Sequence, residues 1–364
     1  MKLKQVISAS LLCMALPGFI LAGTWYVSSE GSNSNPGTSA KAPLKNIQKA
    51  VDQAKNGDVI KVSEGSYAGV LNKHETKITK PVILEGGYSK DFSKRDPFTN
   101  HSIIVPKNRT ITLLIEQKLA GTCAIDGFVI DGTSMNEYDG ISLNYLQGSV
   151  PVISIKLIAF KEQEARITNC ILMNCSGEPI YINGVKGAKF IIENNLIVNN
   201  RRGGILINPN NKADNVLIKN NSIIFSLFTH PGDTAALGHA INTDAYQGGI
   251  TITKNILAHS TKSAVRNGNR NKSMSITDNI FANNGSTYFM AKDNVGEIGT
   301  ADLADTDLLD SEGNKDMDLN YESIDSIAKK RSKAFGASLT MEEVKACATL
   351  KGTPAGYGVN LTVK

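Results

Sequence analysis

A short phrase of alternating apolar and polar residues recurs through the middle of the chain. Its copies read RITNCILMNC, IIENNLIVNN, LIKNNSIIFS, TITKNILAHS and SITDNIFANN. When the copies are aligned on one isoleucine, Ile167, Ile192, Ile218, Ile252 and Ile276 follow one another at intervals of 25, 26, 34 and 24 residues. Alternation with a period of two predicts strands, and a repeat of this length predicts a solenoid. The segment 124–132 is an earlier, looser copy.

An asparagine holds the same place in four copies, between two strand-like pairs. These residues are Asn195, Asn221, Asn255 and Asn279. Asparagine tolerates the left-handed backbone of a sharp bend. Coils stacked about 4.8 Å apart would let each amide bond to the next copy. We therefore predict a ladder of asparagines at a bend; the alternative is that these residues mark surface loops.

Coils of this length with an asparagine ladder resemble the right-handed parallel β-helix of the pectate-lyase type. The opening segment WYVSSEGSNSNPGTSAKAPLKNIQKAVDQAKNGDVIKVSEGSYAG is similar to that of many secreted bacterial β-helix proteins, and GGYSKDFSKRDP at 86–97 resembles a loop common in that group. The resemblance implies an all-β fold, a right-handed parallel β-helix of three-strand coils, with a capping helix at its N-terminus.

The residues themselves agree with a capping helix near the start. Leu44, Ile47, Ala50, Val51 and Ala54 recur at helical spacing. An amphipathic helix across the first coil would cover an otherwise open sheet edge, which solenoids require.

The N-terminus has the features of an export signal. Lys2 and Lys4 precede the broken apolar run VISASLLCMALPGFILA, and small residues follow at Ala22–Gly23. We predict a signal peptide at 1–23, a β-helix with its cap at 24–300, and a C-terminal segment at 301–364 that packs on the β-helix. The expected location is secreted or periplasmic, and no later segment is apolar for long enough to span a bilayer.

Charge and cysteine content exclude some classes of function. The formal charge of +5 falls to +3 (5 − 2) without Lys2 and Lys4, which is too weak for a nucleic-acid binder. A local basic patch that faces an acidic polysaccharide remains compatible with this charge, and we expect a monomer. The spacing of Cys123, Cys170, Cys175 and Cys347 fits no zinc pattern. We expect the first three of these cysteines to be small buried apolar residues, with disulfide pairing left open.

A second short strand follows each asparagine phrase. The series reads GISLN, PIYIN, GILIN, AINTD, AVRNG and YFMAK, starting at residues 140, 179, 204, 240, 264 and 288. We predict that these strands stack as one sheet in which the second and fourth residues face inward. The outward set is then Ser142, Asn144, Tyr181, Asn183, Leu206, Asn208, Asn242, Asp244, Arg266, Met290 and Lys292. Since outward positions on any soluble sheet are polar, a sugar-binding groove is one of two interpretations.

One coil is longer than its neighbours by about ten residues. The addition lies in FSLFTHPGDTAALGHAINTD at 225–244, which contains His230, Asp233, His239 and Asp244. Extra residues on one coil of a solenoid form a loop, and functional loops are often built in this way. An ordinary surface loop is the alternative.

Elimination from a uronic acid polymer is the first candidate chemistry. It needs a cation to neutralise the sugar carboxylate and a base to remove the adjacent proton. Arg266 is the candidate base or carboxylate clamp, with His239 and Lys292 as rivals. Tyr181, Asn183, Asn208 and Asn242 are candidate substrate-binding residues. Asp244 and Asp233 are candidate ligands for calcium, which needs several oxygen ligands; a metal-free reaction is the alternative.

Hydrolysis is a weaker candidate. NTD at Asn242–Asp244 and GH at Gly238–His239 resemble fragments of the polygalacturonase signature. The paired aspartates of that family are missing and the order of the two fragments is reversed, so we interpret the match as chance.

Two functions of different classes therefore follow from the sequence. One is a polysaccharide lyase that acts on an acidic, uronate-containing polymer. The other is a non-catalytic β-helix that binds glycans or surfaces in an adhesin-like or envelope role. The fold does not choose between them.

Overall fold

The computed structural model describes residues 22–362, apart from 70–73, 107–110, 139–142, 146–152, 209–214, 228–236, 245, 291–295 and 334–335. The predicted signal peptide therefore lies almost entirely outside the described residues. Within them, no helix has the length and apolar character needed to cross a bilayer.

Among the described residues, three sheets of nine strands each run along the molecule. Sheet A contains β1 (Thr24–Val27), β2 (Val59–Ser63), β5 (Ile83–Tyr88), β8 (Gly121–Asp126), β13 (Gln163–Thr168), β16 (Lys189–Glu193), β19 (Asn215–Lys219), β22 (Ile250–Thr253) and β25 (Met274–Thr277). Sheet B contains β3 (Gly65–Ala68), β6 (Ser102–Val105), β9 (Phe128–Asp131), β14 (Ile171–Met173), β17 (Leu196–Asn200), β20 (Ser222–Ser226), β23 (Ile256–Ala258), β26 (Ile280–Ala282) and β29 (Lys315–Asp316). Sheet C contains β4 (His74–Ile78), β7 (Ile111–Glu116), β12 (Ile153–Ala159), β15 (Ile180–Gly184), β18 (Gly203–Ile207), β21 (His239–Asn242), β24 (Ser263–Asn267), β27 (Ser286–Met290) and β28 (Glu297–Ile298).

The chain visits the three sheets in turn, and neighbouring strands within each sheet pair in parallel except β27 with β28. This arrangement is a right-handed parallel β-helix, which confirms the predicted fold class. A short antiparallel pair, β10 (Asn136–Tyr138) and β11 (Leu143–Tyr145), lies outside the three sheets. The part of the chain that the structure describes contains the helices α1 (Ile47–Gln53), α2 (Asp325–Lys333) and α3 (Met341–Ala348), with 3₁₀ turns at Gly132–Met135, Leu303–Asp305 and Tyr321–Ser323.

The repeat identified in the sequence is the repeat of sheet A. The five aligned isoleucines pair directly from coil to coil, in the order Ile167, Ile192, Ile218, Ile252 and Ile276. Ile125 precedes them in the same row, so the copy at 124–132 is also confirmed. All six side chains are fully buried. The period-two alternation places them in the core that runs along the axis of the β-helix.

The asparagine ladder is confirmed at the bend between sheets A and B. Its four members are fully buried. The side-chain Nδ2 of Asn195 donates to Oδ1 of Asn221 at 2.9 Å, and the same contact joins Asn221 to Asn255 at 3.0 Å and Asn255 to Asn279 at 2.9 Å. Each acceptor oxygen also receives the backbone N–H of the previous ladder residue. Asn314 extends the ladder by one coil, through a bond of 3.1 Å from Asn279.

The left-handed backbone lies one residue before each ladder asparagine, which corrects the prediction that one residue has both roles. The residues with positive φ are Asn194 (56°), Asn220 (52°), Lys254 (55°) and Asp278 (53°). The ladder asparagine itself therefore serves the hydrogen bonds between coils and not the turn geometry.

The predicted capping helix is confirmed as α1. Leu44, Ile47, Ala50, Val51 and Ala54 are all buried in the same core as the first strands of sheet A. Since α1 closes the N-terminal end of this core, it covers the otherwise open first coil.

The outer face of sheet B is covered by the C-terminal residues. Strands β17 and β20 are buried along their whole length. Their outward side chains pack with α2, α3 and the tail in a second apolar cluster that includes Leu196, Val198, Ile224, Val344 and Cys347. Polar contacts anchor the same segment: Leu339 N donates to Asn174 Oδ1 at 3.0 Å, and Asn360 N donates to Asn194 Oδ1 at 2.6 Å.

The four cysteines of the described residues are buried free thiols. Burial raises the pKa of Cys123, Cys170 and Cys175 to about 12, so these thiols stay protonated. The prediction that these three act as small buried apolar residues is confirmed.

Candidate functional site

The outer face of sheet C carries the residues that the sequence proposed as a site. Along β15 and β18 the alternation is as predicted, because the isoleucines are buried while Tyr181 and Leu206 are partly exposed. In β21 Ile241 is buried as predicted, as is Thr243 just after the strand, but Asn242, predicted to face solvent, is also buried at 7% exposure. Across the strands, Tyr181 pairs with Leu206, Leu206 with Asn242, and Asn242 with Arg266. These residues therefore form one row, with a step of about 4.8 Å between coils.

Two of the predicted strands are in a different place or register. GISLN does not stack on PIYIN: Leu143–Tyr145 forms the antiparallel pair with Asn136–Tyr138, and the strand that pairs with β15 is Ile153–Ala159. Asn144 therefore does not belong to the row, Ser142 lies outside the described residues, and Lys156 occupies the position beside Tyr181.

The last strand of the series is shifted by one residue. Arg266 pairs with Phe289, while Asn267 pairs with Met290. Met290 is buried at 5% exposure, so its predicted outward orientation is wrong, and Phe289 holds the outward position. Because a shift of one residue exchanges the two faces of a strand, the argument that put Lys292 in the row no longer applies; Lys292 lies outside the described residues.

Arg266, Asp244 and Asn242 form one hydrogen-bonded group, which we call the Arg266 cluster. Arg266 Nη1 donates to Asp244 Oδ1 at 3.0 Å and to Asn242 Oδ1 at 3.1 Å. The backbone N–H of Asp244 donates to the same Asn242 oxygen at 2.9 Å. The Arg266 side chain is 12% exposed and that of Asp244 is 38% exposed. The cluster thus holds a guanidinium in a fixed place at the surface.

His239 lies at the start of the same strand but is buried. Its Nδ1 accepts the backbone N–H of Ser263 at 3.2 Å and is 2.7 Å from the Ser263 hydroxyl. Since Nδ1 accepts, the proton of the neutral ring lies on Nε2. The ring stacks on Phe289 with centroids 6.0 Å apart. His239 and Asn242 also line a cavity of about 10 Å³, together with Glu178, Arg202 and Leu206.

The predicted substrate-binding residues are spread over the coils that precede the Arg266 cluster. The ammonium of Lys156 lies 5.1 Å from the centre of the Tyr181 ring, and burial, together with nearby Glu178, raises the pKa of Tyr181. Asn183 is the last but one residue of β15. Asn208 follows β18, and its backbone N–H donates to Ile182 O at 2.9 Å. Tyr181 is two coils from Asn242, which is buried and bonded to Arg266. An extended ligand that contacts Tyr181 would therefore cross these two coils to reach the Arg266 cluster.

The described residues do not fit a calcium site. Asp233 lies outside them, and the cation that faces Asp244 is Arg266. Among the residues that the structure describes, no three His, Cys, Asp or Glu side chains are grouped as metal ligands. Calcium needs several oxygen ligands, and the pairing of Asp233 with Asp244 in such a site stays a prediction.

The larger cavities lie elsewhere, against the C-terminal residues. One of about 770 Å³ lies between the tail and the bend that carries Asn169, Asn194 and Asn220. Another of about 760 Å³ lies beneath α2 and is lined by Phe225, His259 and Tyr321 among others. Neither cavity is lined by a residue of the sheet C row. The volume of a cavity therefore does not identify the candidate site.

Among the comparisons with known proteins, only the one with solved structures finds similar proteins. No protein-family model and no curated protein sequence matches the chain. A rhamnogalacturonan lyase is 13% identical with a TM-score of 0.46, and the match covers 73% of this chain and 75% of that one. Pectate lyase Pel9A is 15% identical with a TM-score of 0.43 over 74% and 72%. A pectin methylesterase solved with a hexasaccharide is 12% identical with a TM-score of 0.39 over 86% and 97%. Likenesses of this size carry no argument about activity.

Proposed function

We propose that this chain is a carbohydrate-active β-helix protein that recognises an acidic, uronate-containing polysaccharide on the outer face of sheet C. The Arg266 cluster is the observation that carries the proposal. It places a fixed cation in a row in which Asn242 precedes Arg266 and Phe289 follows it at neighbouring coils, with Tyr181 two coils before Asn242. An extended polymer can follow such a row along the axis of the β-helix.

The hydrogen bonds of Arg266 leave it able to bind a carboxylate. Asp244 and Asn242 both accept from Nη1, and Nη2 makes no hydrogen bond to any residue that the structure describes. A guanidinium binds carboxylates through charge-assisted bonds of defined direction. Asp244 and Asn242 would fix the orientation of the guanidinium, while Nη2 contacts the uronate.

Cleavage by elimination is the second candidate, and Arg266 favours it as the group that would neutralise the uronate carboxylate. The base is less well supported. A guanidinium stays protonated in proteins, His239 carries its neutral-ring proton on Nε2 while Nδ1 accepts from Ser263, and Lys292 lies outside the described residues. The geometry therefore supports recognition more directly than cleavage.

The two candidates are separated by incubating the protein with pectic, alginate and glycosaminoglycan polymers, with and without calcium. Retention of the protein in affinity gels measures binding, and absorbance of unsaturated products measures elimination. We expect retention by at least one acidic polymer and not by a neutral glucan. Absorbance that stays flat with every polymer would remove the lyase and leave the binding function.

Variants of Arg266 test the site itself. Arg266→Gln should lose most of the retention. Arg266→Lys should retain more than Arg266→Gln, because lysine keeps the positive charge but lacks the planar guanidinium that binds a carboxylate through two parallel bonds. Arg166→Gln is the matched control, since Arg166 is a surface arginine of sheet A paired with Glu164. Equal retention of Arg266→Gln and the unmodified protein would contradict the proposed site.

A further inference from the structure

The turns from sheet C to sheet A carry exposed apolar side chains in three successive coils. Leu119 is 48% exposed, Phe160 is 42% exposed and Val185 is 39% exposed. They lie in the turns between β7 and β8, β12 and β13, and β15 and β16, and these strands pair with one another in that order. Five large apolar side chains are exposed among the described residues, and three of them therefore share one corner of the β-helix.

Each of these side chains has an exposed lysine as its chain neighbour. Lys118 precedes Leu119, Lys161 follows Phe160, and Lys186 follows Val185. Glu162 is the acid among them and lies 3.6 Å from the Lys161 ammonium. We call these residues, Lys118, Leu119, Phe160, Lys161, Val185 and Lys186, the corner ridge. With Glu162 included, its formal charge is +2 (3 − 1).

Buried polar contacts hold the turns of the ridge together. The Gln163 side chain accepts the backbone N–H of Phe160 at 2.6 Å and donates to Leu119 O at 2.9 Å, which ties two turns to each other. Val185 N donates to Ala159 O at 3.2 Å and so joins the third turn. The apolar side chains are thus presented outward from a fixed backbone, at a step of about 4.8 Å between coils.

We propose that the corner ridge docks the protein on the surface of an anionic lipid bilayer. Exposed apolar residues gathered in one patch on a soluble protein mark an interaction surface. Interfacial binding combines apolar side chains that enter the headgroup boundary with lysines that contact anionic lipids. Leucine and valine offer no flat ring on which a sugar could stack, so a soluble acidic polymer is a poorer match for the ridge than a lipid surface.

The ridge and the Arg266 cluster can be occupied at the same time. The ridge ends at the turn after β15, whereas Arg266 lies on β24, three coils further along sheet C. Three steps of about 4.8 Å separate them by about 14 Å along the axis. Docking at the corner would therefore leave the outer face of sheet C accessible.

Vesicle binding tests this inference with the full-length purified protein. Sedimentation with vesicles of phosphatidylcholine alone is compared with vesicles that also contain phosphatidylglycerol. We expect binding to the anionic vesicles and little to the neutral ones. No binding to the anionic vesicles overturns the inference, and so does a concentration-dependent rise in mass by light scattering without vesicle binding, since the ridge would then join two copies of the chain.

Two triple variants and their controls locate the contact. Leu119→Ser with Phe160→Ser and Val185→Ser, or Lys118→Gln with Lys161→Gln and Lys186→Gln, should each weaken binding at least about tenfold. Controls change exposed residues that do not belong to the ridge: Leu309→Ser for the apolar set, and Lys41→Gln with Lys45→Gln and Lys351→Gln for the lysine set. Unchanged binding of both ridge variants, with melting temperatures like that of the unmodified protein, contradicts the proposal.

Discussion

Asn221 shows how many hydrogen bonds a single side chain of the asparagine ladder makes. Its Nδ2 donates to Ile192 O at 2.9 Å, to Lys219 O at 3.0 Å and to Asn255 Oδ1, while its Oδ1 accepts from the backbone and side chain of Asn195. The residue is fully buried. Removing its amide would leave several buried polar groups of three coils without partners.

We therefore predict that Asn221→Ala lowers the free energy of unfolding by about 2–4 kcal/mol. Chemical denaturation measures this change. Thr251→Ala, on the exposed outer face of the next coil, is the control and should change the free energy by less than about 0.5 kcal/mol. A loss for Asn221→Ala no larger than that of the control would mean that the ladder does not stabilise the fold.

We expect His259 to make the stability depend on pH. Burial, together with the positive charge of Arg331, lowers its pKa below the ordinary value of 6.5; Leu319 O, Glu322 and Asp318 oppose the change. The ring packs between Phe225 and Tyr321. Because the unfolded chain takes up this proton more readily than the folded one, the stabilising contribution is complete above pH 6.5 and is lost as the pH falls through the folded pKa.

The corresponding prediction uses His259→Phe. Phe225 holds the equivalent bend position one coil earlier with φ of 60°, compared with 54° at His259, so phenylalanine is tolerated there. The melting temperature of the unmodified protein should fall as the pH is lowered from 6.5, and that of His259→Phe should fall less. His101 has a lowered pKa as well, so it contributes to the slope that remains in His259→Phe. Parallel melting curves for the two proteins would contradict the role of His259.

Sheet A was predictable from the sequence because its repeat is strict. The isoleucine row and the ladder depend on steps of nearly constant length, with one insertion between β20 and β21. Sheet C was less predictable. The coil that contains β12 also holds an extra antiparallel pair, and the step from Val265 to Tyr288 is one residue shorter than the sequence alignment assumed. An apolar pair such as Tyr288 and Phe289 does not reveal which member faces inward.

The candidate site was predictable where the strands of sheet C follow the regular alternation and coil spacing. Asn242, Asp244 and Arg266 were found because alternation and coil spacing put them side by side. Phe289 was missed because the shift of one residue assigned its place to Met290, and Lys156 was missed because its strand was not recognised. The buried state of His239 depends on side-chain packing between coils, which the spacing of residues along the chain does not encode.

The C-terminal helices are elements whose packing the sequence left unspecified. α3 begins with a capping box in which Thr340 and Glu343 bond to each other's backbone N–H. Its buried side, which includes Val344 and Cys347, covers the apolar outer face of sheet B. Since the β-helix has its own separate core, release of α3 should expose sheet B without unfolding the coils.

Val344→Asp tests this arrangement, because it places a charge at a fully buried position. We predict faster proteolytic cleavage within residues 325–362 and increased binding of a hydrophobic dye, while the fragment that contains the coils survives. Glu342→Gln, on the exposed side of the same helix, should digest like the unmodified protein. Uniform digestion of the whole chain of Val344→Asp would show that the segment and the β-helix unfold together.

Across the whole molecule, different parts of the β-helix surface present different side chains. Sheet B is covered by the C-terminal residues, the corner between sheets C and A carries the ridge, and the outer face of sheet C carries the Arg266 cluster. A long polymer aligned with the axis would contact several coils of sheet C at once, and the sum of modest contacts would give it its affinity.

Radical footprinting of side chains, with and without the acidic polymer that the protein retains most strongly, tests the proposed site most directly. We predict that the polymer reduces oxidation of Tyr181 and Phe289 on the outer face of sheet C, and leaves Phe160 on the corner ridge unchanged. Unaltered oxidation of Tyr181 and Phe289 under saturating polymer, with protection elsewhere on the surface, would contradict the account.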